Sequence, residues 1–285
     1  MSTEQTDPSP WGTHRPGRLF LFLVRVCRAV PQRPLVKQLA FLIRRLARAV
    51  VEDPVDVVQW GHRLRLRTRG NISESTFLFM PDRWDLPERR LLRRELTPGA
   101  VLVDVGANAG GYLWWVLHCL GHDCRIVAVE PDPRLHRRLR FNLESNGFDN
   151  VRVVGAAVGT EPGEGWLRLA SANLGQNVLQ RDPGDPRDGD ATSIRVPVRS
   201  LPELVAEAGL ARIDALKIDV EGLEAPILQD FFDRAPERLW PRILLMERQP
   251  GPEHRAIRTR LESFGYHEAL STRLNVVLRR SDPPG

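Results

Sequence analysis

Four carboxylates stand where their spacing could do chemistry: Asp104, Glu130, Asp219 and Glu221. Asp104 closes the apolar run VLVD and opens the glycine turn DVGANAG, where Gly106 and Gly110 permit close backbone approach. A dinucleotide fingerprint would read G-x-G-x-x-G, with its glycines packed for a pyrophosphate. A carboxylate beside the turn repels pyrophosphate. It favours a cation, such as the sulfonium or α-amino group of S-adenosylmethionine. Asp104, Gly106, Ala107, Asn108 and Gly110 are therefore the candidate binders of that ligand's methionine end. Glu130 ends the next apolar run, 24 residues after Gly106, in VAVEPDP. A carboxylate there can accept both ribose hydroxyls, and Pro131 and Pro133 lead into a helix. A third run ends in VVGAAVG, where Ala156 and Ala157 are small enough to meet an adenine ring. Each feature also has a plain structural reading: a glycine turn, an N-capping acid, small residues that pack.

A second group lies in LKIDVEGLEAPIL. Lys217, Asp219 and Glu221 alternate, so in a strand they point the same way. Methyl transfer is an in-line displacement that depends on positioning. An acceptor hydroxyl must also lose its proton, and a carboxylate base contributes about 10²–10⁴-fold. Asp219 and Glu221 are the candidate catalytic residues. Two other roles are open to them. They could cap a helix beginning near Gly222, favoured by its dipole. With Glu247 they could hold a divalent metal. No resident metal is predicted; if one is present, its ligands are Asp219, Glu221 and Glu247. Lys217 is expected to pair with an acid. Asn173 and Gly175 in SANLGQN offer an amide to a ligand or a plain turn. His254 reads as a surface histidine, although it could serve as a base. Trp114 and Trp115 read as packing residues, one on the sheet and one against the N-terminal hairpin.

These groups need strand ends set in a row. Strands are predicted at 101–105, 125–130, 151–156, 213–219 and 242–247. Helices are predicted near 109–120, 133–146, 201–208, 223–230 and 252–263, and a closing hairpin at 266–270 and 275–279. Strand–helix alternation implies a mostly parallel sheet covered on both faces, with ligands beyond the strands' carboxyl ends. Residues 171–192 break the strand–helix pattern, and QRDPGDPRDGDATS reads as a mobile polar loop. Ahead of the core, residues 1–17 are polar and expected to be disordered. Residues 18–52 form a basic amphipathic helical extension. Residues 53–98 hold a β-hairpin, VDVVQWGHRLRLRT, and a helix from Asp85, both packing on the core. Residues 99–285 carry the motifs.

The charge is split along the chain. Residues 1–100 hold 18 basic and 10 acidic residues, and the other 185 hold 23 and 26. The mildly acidic body counts against a nucleic-acid enzyme. Cys27, Cys119 and Cys124 have no metal or disulfide spacing, so a reducing, cytoplasmic setting is the default. No run approaches the ~20 apolar residues of a membrane span. Leu35, Leu39, Leu42, Leu46 and Val50 fall at helical spacing, with Lys37, Arg44, Arg45 and Arg48 on much of the other side. Such a helix can lie peripherally on the membrane's inner face or pack on its own domain.

With these residues in place, the chain resembles the FkbM family of S-adenosylmethionine-dependent methyltransferases. VLVDVGANAGGY is similar to its cofactor loop. VAVEPDPRLHRRLRFNLESNG is similar to its second strand and long helix, including Asn142 and Asn146. LKIDVEGLEAPIL and ILLMER are similar to its later signatures. The resemblance runs from about Val57 to Glu247. Members often carry an aromatic–Glu pair before the core; this chain has Trp84 and Asp85. The resemblance implies an α/β class I methyltransferase fold. That fold is a Rossmann-like, seven-stranded, mostly parallel sheet with helices on both faces, here with the N-terminal helices and hairpin added. It also implies O-methyl transfer to a hydroxyl of a sugar, glycan or natural product. The rivals are methylation of nitrogen, of a protein or of nucleic acid, and an inactive membrane-surface interaction protein with the same fold. The N-methylating NPPY-like turn is absent, since the fourth strand ends in DVEG.

Overall fold

The computed structural model describes residues 7–30, 34–169, 177–180 and 192–281. The N-terminal elements are α1 (Arg18–Ala29), α2 (Pro34–Ala49), β1 (Val55–Gln59), β2 (His62–Leu66), α3 (Ile72–Phe79) and α4 (Leu86–Glu95). The first half of the core is β3 (Ala100–Val105), α5 (Gly111–Leu120), β4 (Cys124–Val129), α6 (Pro133–Asn146) and β5 (Val151–Val154). Next come β6 (Ala157–Val158), β7 (Gly163–Leu169), β8 (Val178–Gln180), β9 (Thr192–Arg199) and α7 (Leu201–Glu207). The chain closes with β10 (Ala215–Ile218), α8 (Glu224–Arg234), β11 (Ile243–Glu247), α9 (Pro252–Ser263), β12 (Tyr266–Ser271) and β13 (Asn275–Arg280).

Seven strands form the main sheet in the order β12-β13-β11-β10-β3-β4-β5. Five of them, β11 through β5, pair in parallel; β13 runs against both β11 and β12. The order turns back between β10 and β3, so their carboxyl ends border one crevice. Both faces are covered. In β3, Ala100 and Leu102 face a layer of α4, α5, α6 and the N-terminal elements, while Val101, Val103 and Val105 face α7, α8 and α9. The near-continuous apolar strands follow from that double burial.

The outer edge of β2 is closed by α6. Asn142 accepts the Arg65 N–H (2.7 Å) and donates to the Arg65 carbonyl (3.2 Å). Asn146 treats Arg63 in the same way (2.8 and 2.7 Å). Each carboxamide replaces the peptide of a neighbouring strand. Asn142→Ala leaves both Arg65 backbone groups unpaired and is expected to cost about 1–3 kcal/mol, read as a lower denaturant midpoint. Asn146→Ala, at a more exposed site, is expected to cost less.

Two expectations are corrected. Residues 157–199 contribute a four-stranded sheet, β6-β9-β7-β8, rather than a break and a loop. Val178–Gln180 is a strand inside the stretch read as a break in the pattern; Asn173 and Gly175 lie outside the described residues. The tail read as disordered over 1–17 is pinned from Asp7 onward. Buried Asp56 accepts the N–H groups of Gly12 and His14, and Arg65 donates to the carbonyls of Asp7, Ser9 and Pro10. One buried ion pair, Arg65–Asp56 at 2.8 Å, organises the segment. Residues 1–6 lie outside the described residues.

Candidate active site

The β3–α5 turn is built on three left-handed residues, Gly106 (φ 72°), Asn108 (φ 52°) and Gly110 (φ 83°). The N–H groups of Gly106 and Ala107 both donate to the Val129 carbonyl at 3.0 Å. The Asn108 N–H donates to Glu130 Oε2 at 2.7 Å. Three successive amides are thus committed to β4, which leaves them unable to cradle a phosphate. A Cβ on Gly106 would lie 1.9 Å from the Asp219 carbonyl oxygen. The turn therefore touches the backbone at the end of β10, and only glycine fits. Asn108 also accepts from Asn71 Nδ2 (2.7 Å), whose own Oδ1 caps α3 at the Glu74 N–H. The N-terminal segment holds the turn from outside.

Asp104 lies beneath this turn. It is 1% exposed, pairs in register with Lys217 of β10, and its Oδ1 stands 3.5 Å from Lys217 Nζ. Neither Asp104 oxygen has a hydrogen-bond partner among the described residues. Burial raises its pKa and Lys217 opposes the rise. Lys217 Nζ donates to the carbonyls of Val105 (3.2 Å) and Gly106 (2.6 Å) and lies 3.6 Å from Asp219 Oδ2. Burial works against its charge, but Asp219, Asp104 and Glu130 outweigh burial and raise its pKa. Lys217 thus ties two acids, Asp104 and Asp219, to the turn.

Two clefts open at the strand ends. The first, about 620 Å³, is lined by Gly106, Asn108, Glu130, Pro131, Ala156, Ala157, Asp219 and Glu221, with Leu167, Asn177 and Leu179 of the four-stranded sheet as a wall. The second, of the same volume, is lined by Ser73, Phe77, Trp84, Asp85, Ala107, Tyr112, Lys217 and Asn275. Gly106, Asn108 and Asp219 border both.

Of the residues assigned from the sequence to the cofactor or to catalysis, two line neither cleft. Asp104 sits under the turn. Gly110 packs inside: a Cβ there would stand 2.7 Å from Leu139 and 2.9 Å from Trp114. Sequence reasoning missed the second cleft. Its one signal was the Trp84–Asp85 pair, where Asp85 accepts the Tyr112 hydroxyl at 2.8 Å and burial raises the pKa of both groups.

The acids beyond β10 are arranged differently from the expectation. The strand ends at Ile218, and Glu221 has φ 55°, so strand alternation does not set its direction. Burial and the charges of Asp219, Glu247 and Glu224 push the Glu221 pKa up to about 7. The carboxylates that converge closely enough for a metal are Asp219, Glu224 and Glu247, within 4.8 Å of one another; Glu224 takes the place expected for Glu221. Glu224, the first residue of α8, also braces the β10–α8 turn: it accepts the N–H groups of Val220 (2.8 Å) and Gly222 (3.1 Å). His254 is buried, not on the surface, with Nε2 3.9 Å from Glu224.

Glu130 is 5% exposed and accepts two backbone N–H groups, from Asn108 and from Asp132 (2.9 Å). Each oxygen keeps a second lone pair for a hydroxyl donor. Burial nonetheless lifts its pKa from 4.5 to about 7. Between those values the folded chain holds a proton that the unfolded chain has released. The stabilisation present at low pH is therefore lost as pH rises through about 7. The Glu130 contribution is on the order of 3 kcal/mol. Thermal melts in mildly acidic and mildly alkaline buffer are expected to show this slope in the wild type and a flatter one in Glu130→Gln.

The buried carboxylates at a glycine turn, with the Gly106, Ala107 and Asn108 amides already bonded within the protein, fit a cationic ligand carrying ribose hydroxyls, as S-adenosylmethionine does. Sheet order and cleft together define the class I, Rossmann-like fold of methyltransferases that take S-adenosylmethionine as cofactor.

Residues 104–268 match the methyltransferase FkbM domain, and the chain belongs to that family. It is similar to the 31-O-demethyl-FK506 methyltransferase FkbM of Streptomyces tacrolimicus: 30% identity, covering 61% of this chain and 73% of that protein. It is similar to the 2-O-methyltransferase NoeI of Sinorhizobium fredii: 28% identity, covering 46% of this chain and 57% of that one. The AMB antimetabolite synthetase AmbE of Pseudomonas aeruginosa is 29% identical over 49% of this chain, which spans 8% of that synthetase.

Proposed function

We propose that this chain is an O-methyltransferase that acts on a hydroxyl of a sugar, glycan or natural product. One observation carries the reading: Asp219 and Glu221 border the donor cleft, and Glu221 has a pKa of about 7, poised to take a proton near neutral pH. When bound, S-adenosylmethionine supplies a methyl group on a sulfonium, already activated for displacement. The chain's residues then bind and orient. Glu130 accepts from the ribose, Ala156 and Ala157 lie along the adenine, and the Gly106–Asn108 turn closes on the methionine end. Lys217 holds Asp104 and Asp219 in place, and Glu221 takes the acceptor's proton. Two relatives bear names that state methyl transfer at oxygen, which supports the same acceptor atom here. We place the enzyme in the cytoplasm; Cys27, Cys119 and Cys124 are all unpaired. No helix among the described residues is long and apolar enough to cross a membrane.

The test has two stages. Titration calorimetry with S-adenosylmethionine is expected to show binding that Glu130→Ala weakens about ten-fold or more. A panel of hydroxyl and amine acceptors, with and without Mg²⁺, is then read by mass spectrometry. Methyl ethers support the proposal. Transfer to amines alone would overturn it.

A further inference from the structure

We propose that the outward face of the α1–α2 hairpin docks on the surface of an anionic lipid bilayer. Twelve large hydrophobic side chains are exposed among the described residues, and eight of them lie between Leu19 and Val50. Phe22 is 60% exposed and Phe41 64%, beside exposed Leu19, Leu39, Leu42 and Leu46. An apolar concentration of this kind marks a contact surface. The helices are not loose. Their other face, with Phe20, Val24, Cys27, Ala40, Ile43 and Ala47, is buried in the core. Arg28 donates to the Leu78 carbonyl at 2.7 Å and to Gln59 at 2.8 Å, and Arg48 donates to Ser75. One face is seated, and the opposite face is apolar without cover.

Charge decides what covers it. Between Asp7 and Glu52 the chain has nine basic residues and no acidic one. Arg18, Arg25 and Arg45 are exposed among the apolar side chains, and the Arg44 guanidinium lies 4.6 Å from the Phe41 ring. A second copy would bring two acid-free, cationic faces together, which repel in a dry interface. A nucleic acid would satisfy the arginines and leave the Phe and Leu side chains unused. An anionic bilayer takes both: headgroups meet arginines, and acyl chains meet phenylalanine and leucine. At 12 and 16 residues the helices are about 18 and 24 Å long. They are shorter than the ~30 Å hydrocarbon core, so they lie on it. The inference is independent of the methyl-transfer reading, because lipid binding is read with neither donor nor acceptor present.

The 285-residue chain is sedimented with phosphatidylcholine vesicles, with and without phosphatidylglycerol, at low and high salt. Binding is expected only to the anionic vesicles, weakening with salt. The triple variant Phe22→Ser, Phe41→Ser, Leu42→Ser is expected to lose about ten-fold or more in affinity while keeping the wild-type Tm and S-adenosylmethionine affinity. Arg18→Ser with Arg25→Ser and Arg45→Ser is expected to lose the preference for anionic lipid. Absent or charge-independent pelleting overturns the proposal. So does a dimer in solution that the serine triple variant dissolves, which would make a second copy the occupant. An RNA gel shift that only the arginine variant abolishes would assign the face to nucleic acid.

Discussion

Gly106→Ala is expected to weaken S-adenosylmethionine binding by about 100-fold or more, about 2.7 kcal/mol. Two costs act at this position. The backbone is left-handed at φ 72°, a conformation that costs a residue with a Cβ roughly 1–2 kcal/mol. The added carbon would also fall 1.9 Å from the Asp219 carbonyl oxygen, which is backbone and cannot rotate away. Relief requires the turn and the end of β10 to part. That movement would stretch the Lys217 contacts to Val105 and Gly106 and displace Asn108 from Glu130. Gly121→Ala is the control. Its φ is 59°, with nothing within 4 Å of an added Cβ. It is expected to lower Tm and leave donor affinity intact. Calorimetric titration reads both variants. Undiminished affinity in Gly106→Ala would remove the turn from the donor site.

Glu221→Gln is expected to lower kcat by about 10²–10⁴-fold with donor affinity changed little. Glutamine keeps the size of the side chain and can follow the same φ of 55°, but it cannot take a proton. The pH profile separates lost chemistry from lost structure. With a Glu221 pKa of about 7, raised first by burial and then by Asp219, wild-type kcat is expected to rise with pH through that region. Below it the carboxyl is protonated and cannot act as base. The variant's residual rate is expected to be flat over the same range. A variant with wild-type turnover would leave Glu221 as a lining residue, and Asp219→Asn would be the next measurement.

The sequence showed the parts of the site whose signal is local. The β3 and β4 runs, the turn between them and the carboxylate after β4 are each contiguous, and they fall where expected. What it hid depends on register or on distant pairing. Asp104 is turned inward because it pairs with Lys217, 113 residues later; nothing near Asp104 specifies that partner. The four-stranded sheet pairs Trp166 of β7 with Arg195 of β9, on strands separated by more than twenty residues of chain, so neither strand alone specifies the other. The exchange of Glu221 for Glu224 in the acid cluster follows from the chain leaving the strand at Ile218. The second cleft is made by Trp84 and Asp85 meeting Tyr112 across two helices, a contact no window of sequence contains.

The amide clasp of Asn142 and Asn146 on β2 bears on where this gene can be cut. The family match begins at Asp104, which invites grafting from that residue when enzymes of this kind are recombined. A graft made there would strip α6 of the edge it grips, leave Arg138 without buried Glu74, and bare Trp114 where it meets His62. The turn would also lose Asn71, which holds Asn108. The unit of exchange is therefore longer than the unit of homology: a functional hybrid has to carry its own hairpin and α3, with the crossover placed ahead of Val55.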